Sequence, residues 1–219
     1  AQFGQANYDK LSEVGHEQAV ALGKALFEQG ITIDHWVRGD MVRHTETLRG
    51  LSQGMRTQVT DQFVTPDLNE YDFTGLLDAR FANGKVPAGL HTDRKTHFRL
   101  LRETLALWQN DEISNPPESW AAFETRLKRA QQTIFGLEGD TILVVSSGGA
   151  ISKIVANALG VSHAKQVDLQ LQIKNASMST FIYSRRTGGF FLMRSTKPHL
   201  FLRKRSIYYP IVRMCDYGP

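Results

Sequence analysis

Three short stretches of this sequence carry residues that can act on an anion. The first is VVSSGGA, Val144 to Ala150, where an apolar strand runs through Ser146 and Ser147 into Gly148 and Gly149. Small residues there let the backbone approach a ligand closely. The amides that open the following helix point free N–H groups at it, helped by the helix dipole. The same turn also serves plain close packing of helix on strand, so alone it does not decide the matter. The second stretch is VRGDMVRHTETLRG, with Arg43 opening a helix directly after a strand. A guanidinium there can clamp phosphate with two parallel hydrogen bonds; alternatively it is a surface arginine paired with Glu46 or Asp40. His44 beside it reads as an outward or structural histidine. The third is DLNEYDF, where Glu70 follows a strand. A carboxyl at a strand end can give and take a proton if burial lifts its pKa, whereas an exposed one is only solvated. A nucleophile elbow is excluded because Val144 stands two residues before Ser146 where Gly is required. No G-x-G-x-x-G dinucleotide fingerprint is present.

The elements that must position these groups alternate. Ser12 is a suitable N-cap for a helix with an apolar stripe of Val14, Ala21, Leu22, Ala25 and Leu26, closed by Gly30. ITIDHWVRG reads as a strand, MVRHTETLRGLSQ as a helix, and TQVTDQFVTPDL as a weaker strand closed by Pro66. Residues 75–93 are rich in turn formers and read as a loop or lid. Two helices follow. One carries Phe98, Leu101, Leu105 and Trp108, the other Trp120, Phe123, Leu127, Ala130 and Ile134, with Ser119 near its start. These aromatics are core. DTILVVSS is a strand buried on both faces, GGAISKIVANALG a helix ended by Gly160, and VSHAKQVDLQLQ another helix. STFIYSRR and GGFFLMRS form a hairpin turning at Thr187–Gly189. The pattern predicts one α/β domain over residues 1–219, a three-layer α/β/α fold around a mainly parallel sheet, with a helical insertion or lid over about 75–137. The chain enters through a loop and goes straight into a helix, so the sheet's first strand must come from elsewhere.

Composition narrows the class. The 219 residues are 41% hydrophobic and 22% charged, as in ordinary globular domains. No apolar run reaches the ~20 residues that span a bilayer, and the N-terminal stretch has no secretory pattern. The single Cys215 excludes an internal disulfide and fits a reducing compartment, so the cytoplasm is expected. One Cys and seven scattered His give no zinc spacing, and no metal or cofactor is expected. The net charge of +4 is uneven: residues 151–219 hold 11 Lys and Arg against 2 Asp and Glu. A basic end can attract polyanions, but interleaved exposed aromatics are lacking and nucleic acid is not the expected partner.

Taken in order, the motifs resemble the histidine phosphatase superfamily in its phosphoglycerate mutase-like branch. YDKLSEVGHEQAVALGKAL is similar to the family's D-x-x-L-[ST]-x-x-G-x-x-Q-A, and GDMVRHTET to its [SG]-x-x-x-R-x-x-[QE]-T. LNE resembles L-x-E, ESWAAFETRL resembles E-S-x-x-x-F-x-x-R, and VVSSGGAI stands where V-x-S-H-G-G is usual. The likeness extends to about Ser184, and beyond Arg194 nothing matches. The sequence departs from the family twice. No R-H-G triplet, carrier of the nucleophilic histidine, is present, and Ser147 replaces the second histidine. AQFGQANYD resembles the family's segment immediately after that triplet, which suggests a chain starting just downstream of it.

The resemblance implies phosphomonoester hydrolysis through a phosphohistidine, without metal. Arg43, Ser146, Ser147, Gly148 and Gly149 would hold a small phosphorylated substrate or phosphate, and Glu70 would protonate the leaving alkoxide. Hydrolysis is expected over the mutase reaction, since nothing legible keeps water out. Lacking its nucleophile, the chain as it stands is expected to be inactive. The alternative is a phospholigand-binding pseudo-phosphatase.

Overall fold

The computed structural model describes residues 9–184, 188–196 and 211–216. Its first helix, α1 (Glu13–Glu28), starts where Ser12 Oγ accepts from the Gly15 N–H at 3.1 Å. It stops at Gly30, whose φ of +68° belongs to the left-handed region. The buried face of α1 is not the Val14–Ala21–Leu22–Ala25–Leu26 stripe expected from periodicity, of which only Leu26 is buried. It is a seam of Gly15, Ala19 and Gly23 with Leu26. The reason is the helix that crosses it, α2 (Val42–Gly54), which approaches backbone to backbone. A Cβ on Gly23 would lie 2.2 Å from the Leu51 carbonyl oxygen, and one on Gly54 would lie 2.0 Å from that of Val20. Small residues therefore replace large ones along this seam.

Between these helices runs β1 (His35–Arg38), shorter than the nine-residue run that the sequence suggests. It pairs in parallel with β2 (Phe63–Val64) and with β3 (Thr141–Val145), with Val37 opposite both Phe63 and Val144. All five residues of β3 are buried, as a strand covered on both faces requires. Its side chains alternate between two cores. Leu143 and Val145 join Trp36, Leu26, Leu48 and Leu51 under α1 and α2. Ile142 and Val144 join Ala130, Ile134, Ile151 and Ile154 on the other face. Those last four come from α5 (Trp120–Phe135) and α6 (Gly148–Leu159). Helices on both faces of one sheet make the expected three layers.

The helical segment between β2 and β3 differs from expectation at its start. Instead of a loop from residue 75, α3 (Phe73–Phe81) forms, with Asp72 accepting from the Gly75 N–H at 2.9 Å. Leu76 and Leu77 are fully buried, so a single helical turn of apolar residues overrode the nearby turn formers. The turn-rich character holds from residue 82 to α4 (Arg94–Gln109). Leu76, Leu77, Leu101, Leu105, Trp108, Trp120 and Phe123 then build a third core beneath α4. Trp108, Trp120 and Phe123 have ring centroids 5.0–5.4 Å apart, confirming the aromatics as packing groups.

Past α6, which ends at left-handed Gly160, come α7 (His163–Gln172) and the antiparallel pair β4 (Met178–Tyr183) and β5 (Phe190–Thr196). The expected hairpin thus forms, while part of its Thr187–Gly189 turn lies outside the described residues. So does most of the basic C-terminal segment. The missing sheet position is filled from the C-terminal end. β6 (Ile211–Asp216) lies between β3 and β4, antiparallel to the first and parallel to the second. The sheet order is β2-β1-β3-β6-β4-β5. No helix among the described residues is long and apolar enough to cross a membrane.

Candidate active site

β1 and β3 run side by side in parallel and end together, so the segments leaving them meet. From β1 the chain passes Gly39 into the N-terminus of α2, and from β3 it passes Ser146 into the N-terminus of α6. Gly39 must be glycine: a Cβ there would sit 2.2 Å from His44 Nδ1 and 2.5 Å from Asn69 Oδ1. Arg43 is 2% exposed, and its fork reaches across this junction. Nε and Nη2 donate to Ser147 Oγ at 3.3 and 3.2 Å, and Nη1 meets Asp9 Oδ1 at 3.1 Å. Neither Glu46 nor Asp40 is the partner. Glu46 instead accepts from the Leu11 N–H at 2.7 Å.

His44 takes the second of its two sequence readings, the structural one. It is buried, not outward, and its Nε2 lies 2.7 Å from Ser147 Oγ. Neighbouring helix residues point apart, yet both reach one hydroxyl because Ser147 faces the first turn of α2 and the arginine is long enough to fold back. Burial, then the cations of Arg43 and Arg38, hold the imidazole pKa down at about 3, against a smaller opposite pull from the Gly39 backbone. His44 is neutral. Its Nδ1 is buried with no partner in good hydrogen-bond geometry among the described residues, although it lies against Gly39.

Glu70 stands at the other side of the α6 N-terminus. Its Oε2 accepts from the Gly149 N–H at 2.9 Å, and its Oε1 from the Tyr71 N–H at 3.3 Å. A Cβ on Gly149 would lie 2.1 Å from Glu70 Oε1 and 2.4 Å from Tyr71 Cε1, so glycine is what admits the carboxyl. Burial raises the Glu70 pKa; the Gly149 amide, Arg43, the Tyr71 amide and Arg126 pull less strongly the other way. The carboxyl is thus poised to carry a proton nearer neutrality than an ordinary glutamate. Because its folded pKa lies above its unfolded one, protonation favours the fold: stability is highest below the unfolded value and falls as pH rises through the folded one. Glu70→Gln keeps an acceptor for Gly149 without the charge. It is expected to raise the midpoint of thermal unfolding at pH 8 and leave it unchanged near pH 4, read by scanning calorimetry at both.

Sequence reasoning brought Arg43, Ser147, Glu70, Gly148 and Gly149 to one place, and these do meet at the opening of α6. Ser146 contributes differently: its buried hydroxyl donates to the Leu68 carbonyl at 2.6 Å and straps the turn that precedes Glu70. Sequence reasoning missed the groups that hold the site in shape. Asp9 accepts from the Val42 N–H at 2.9 Å, capping an α2 N-terminus whose own N-cap, Met41, has no capping side chain. The signal was the D of DKLSE. Arg126 donates through Nη1 to the Asp67 and Asn69 carbonyls at 2.9 and 2.8 Å and pairs with Glu118 through Nε at 2.6 Å, bracing the Glu70 turn. Both residues lie in ESWAAFETRL, and only the fold shows what they touch. Among the described residues no group of three or more His, Cys, Asp or Glu is placed to hold a metal ion.

A family model described as the histidine phosphatase superfamily (branch 1) matches residues 2–195. The chain belongs to that superfamily. Solved structures share the fold. An alpha-ribazole phosphatase from Shigella flexneri aligns with a TM-score of 0.57 at 18% identity, covering 89% of this chain and 87% of that one. A mycobacterial glucosyl-3-phosphoglycerate phosphatase in complex with inorganic phosphate aligns at 0.56 and 19%, covering 90% of each chain. A phosphoserine phosphatase mutant from Entamoeba histolytica in complex with phosphoserine aligns at 0.55 and 14%, covering 87% and 85%. No curated protein sequence matches the chain significantly. At such identities these neighbours establish the histidine phosphatase fold, and the chemistry must be argued from the residues of this chain.

Proposed function

We propose that this histidine phosphatase superfamily member is a phosphomonoester hydrolase of the phosphoglycerate mutase-like type, with its phosphate seat at the opening of α6. One observation carries the reading. Arg43, Ser147 and Glu70, far apart in sequence, converge within hydrogen-bond reach of one helix N-terminus. Neighbours whose names include inorganic phosphate and phosphoserine as bound molecules support a small phosphorylated substrate.

In the proposed chemistry the substrate's phosphoryl group is held by the Arg43 fork and the α6 amides while a histidine attacks phosphorus. The P–O bond to the alcohol breaks as Glu70 gives its proton to the departing oxygen, and ionised Glu70 then activates the water that cleaves the phosphohistidine. Arg43 and Glu70 are the catalytic residues of this scheme. Its nucleophile belongs to an R-H-G triplet that the 219 residues do not contain, so the chain by itself is proposed to hold phosphate with little or no turnover.

A second reading, a phospholigand-binding protein without chemistry, is favoured by Ser147. A serine brings no positive charge to the oxyanion, and loss of one preorganised donor costs a factor of about 10²–10³ in rate. Two measurements, on the chain as it stands and on the chain extended by a strand ending in R-H-G, separate the readings. Phosphate-dependent stabilisation with hydrolysis of any member of a phosphomonoester panel supports the enzyme. Stabilisation without hydrolysis, persisting when the chain is extended by a strand ending in R-H-G, leaves only binding. No stabilisation at millimolar phosphate removes the seat itself.

A further inference from the structure

The hydrogen-bond inventory at Ser147 closes on itself. A hydroxyl has one proton and two lone pairs, and a guanidinium only donates. Arg43 Nε and Nη2 therefore occupy the lone pairs of Ser147 Oγ, at 3.3 and 3.2 Å. Among the described residues the hydroxyl proton has one place left to go, His44 Nε2 at 2.7 Å. This fixes the imidazole as the neutral tautomer with its proton on Nδ1, on the side of Gly39. It also explains why Ser147, at the N-cap of α6, makes no capping bond. The amide it would have served, that of Gly149, is taken by Glu70.

The arrangement has a consequence for any oxyanion. Ser147 cannot donate to a ligand while its proton is committed to a neutral histidine. If the ligand draws the Arg43 donors to itself, the lone pairs of Ser147 Oγ are released and need a new donor. We propose that His44 is a positioning residue for anion binding: it takes up one proton from solvent, becomes a donor at Nε2, and so reverses the Ser147 hydroxyl to donate to the bound oxyanion. The proposal rests on the phosphate seat proposed above. No covalent bond changes; one solvent proton moves onto Nε2, and the hydroxyl rotates from nitrogen to anion.

The charges around the pair agree with a change of state on binding. Arg43 on α2 and Arg38 on β1 oppose an imidazolium, and Arg38 Nη1 donates to the Gly39 carbonyl at 2.9 Å. Asp9, before α1, and Glu70, before α3, supply the nearby carboxylates. A doubly charged anion cancels the field of the two arginines, removing an electrostatic obstacle to a second proton on His44. Glu70 titrates in the same site and must be separated from it.

Sulfate is the probe, since it stays a dianion where phosphate changes charge. Calorimetry at about pH 6, well above the value of about 3 at which His44 titrates in the free fold, in buffers of different ionisation enthalpy counts the protons taken up on binding. Imidazole ¹⁵N spectra report the state of His44 directly. The expected results are proton uptake in the unaltered protein and in Glu70→Gln, its loss when His44→Gln is added to Glu70→Gln, and a shift of the His44 signals from the Nδ1–H tautomer to imidazolium at saturation. Sulfate bound with His44 still neutral overturns the proposal, as does uptake in Glu70→Gln that survives the further change His44→Gln. If His44→Gln does not fold, the spectra of the unaltered protein decide alone. Absence of sulfate binding removes the anion seat and this inference with it, an outcome distinct from binding without protonation of His44.

Discussion

Arg43→Ala is expected to abolish phosphate-dependent stabilisation and to cost the fold about 3 kcal/mol, within the range for breaking a buried ion pair by removing one partner. Three contacts vanish together. Both donors to Ser147 Oγ go, in a hydroxyl with no exposure, and Asp9 loses the guanidinium that offsets its charge. The Asp9 side chain keeps 34% exposure, so water relieves part of its loss, which holds the cost toward the lower end. Arg43→Lys separates charge from shape. A lysine restores the positive charge but cannot bridge Ser147 and Asp9 with a planar fork, so it should recover part of the stability and little of the phosphate response. Denaturant titration with and without phosphate measures both effects; saturation at a hundred times Kd corresponds to about 2.7 kcal/mol of stabilisation. A full phosphate response in Arg43→Ala would place the anion elsewhere.

The second large effect is on acid stability. His44 titrates at about 3 in the fold against an ordinary value of 6.5. A depressed folded pKa means that the unfolded chain binds the proton first, so stability is complete above the unfolded value and drains away as pH falls below it. At 1.36 kcal/mol for each pH unit, about 3 kcal/mol should be lost between pH 6.5 and pH 4. Glu70 acts in the opposite sense, since its raised pKa favours the fold on acidification. The two are resolved by substitution: His44→Gln should flatten the acid limb while keeping a partner for Ser147, and Glu70→Gln should steepen the net decline. Equilibrium unfolding at several pH values in this window reads the slopes. An acid limb unchanged by His44→Gln would mean that another group governs it.

Both helix N-termini at this site are already served by carboxylates, Asp9 on α2 and Glu70 on α6. A phosphate arriving there competes with built-in anions for the same amides and the same guanidinium. The proposed seat is therefore expected to bind weakly when both carboxylates are ionised and better when one has been neutralised, which would connect the acid-base character of Glu70 to binding as well as to the proposed proton transfer.

Local signals settled a definite share of this protein. Ser12 and Ser119 mark helix starts because a hydroxyl at an N-cap satisfies an amide whatever else the chain does. The run TILVV could only be a strand covered on both faces, and Gly160 could close a helix at positive φ because glycine tolerates it. The order Arg43, Glu70, Ser147, Gly149 along those elements was enough to predict that these groups meet at the strand ends. The rest depended on contacts that no local pattern encodes. The Gly15–Ala19–Gly23 face of α1 is buried because α2 lies against it, and periodicity of large apolar residues pointed to a neighbouring face. The slot beside β3 was filled by a strand from the other end of the chain, where pairing energy depends on the partner's edge and not on the strand's own sequence. His44 is a buried hydrogen-bonded imidazole and Asp9 a cap for a helix that starts 33 residues later, because folding alone brings their partners within reach. Sequence sets which groups are available and where each element begins and ends; the direction of a hydroxyl proton, and the charge of the histidine that receives it, are set by packing.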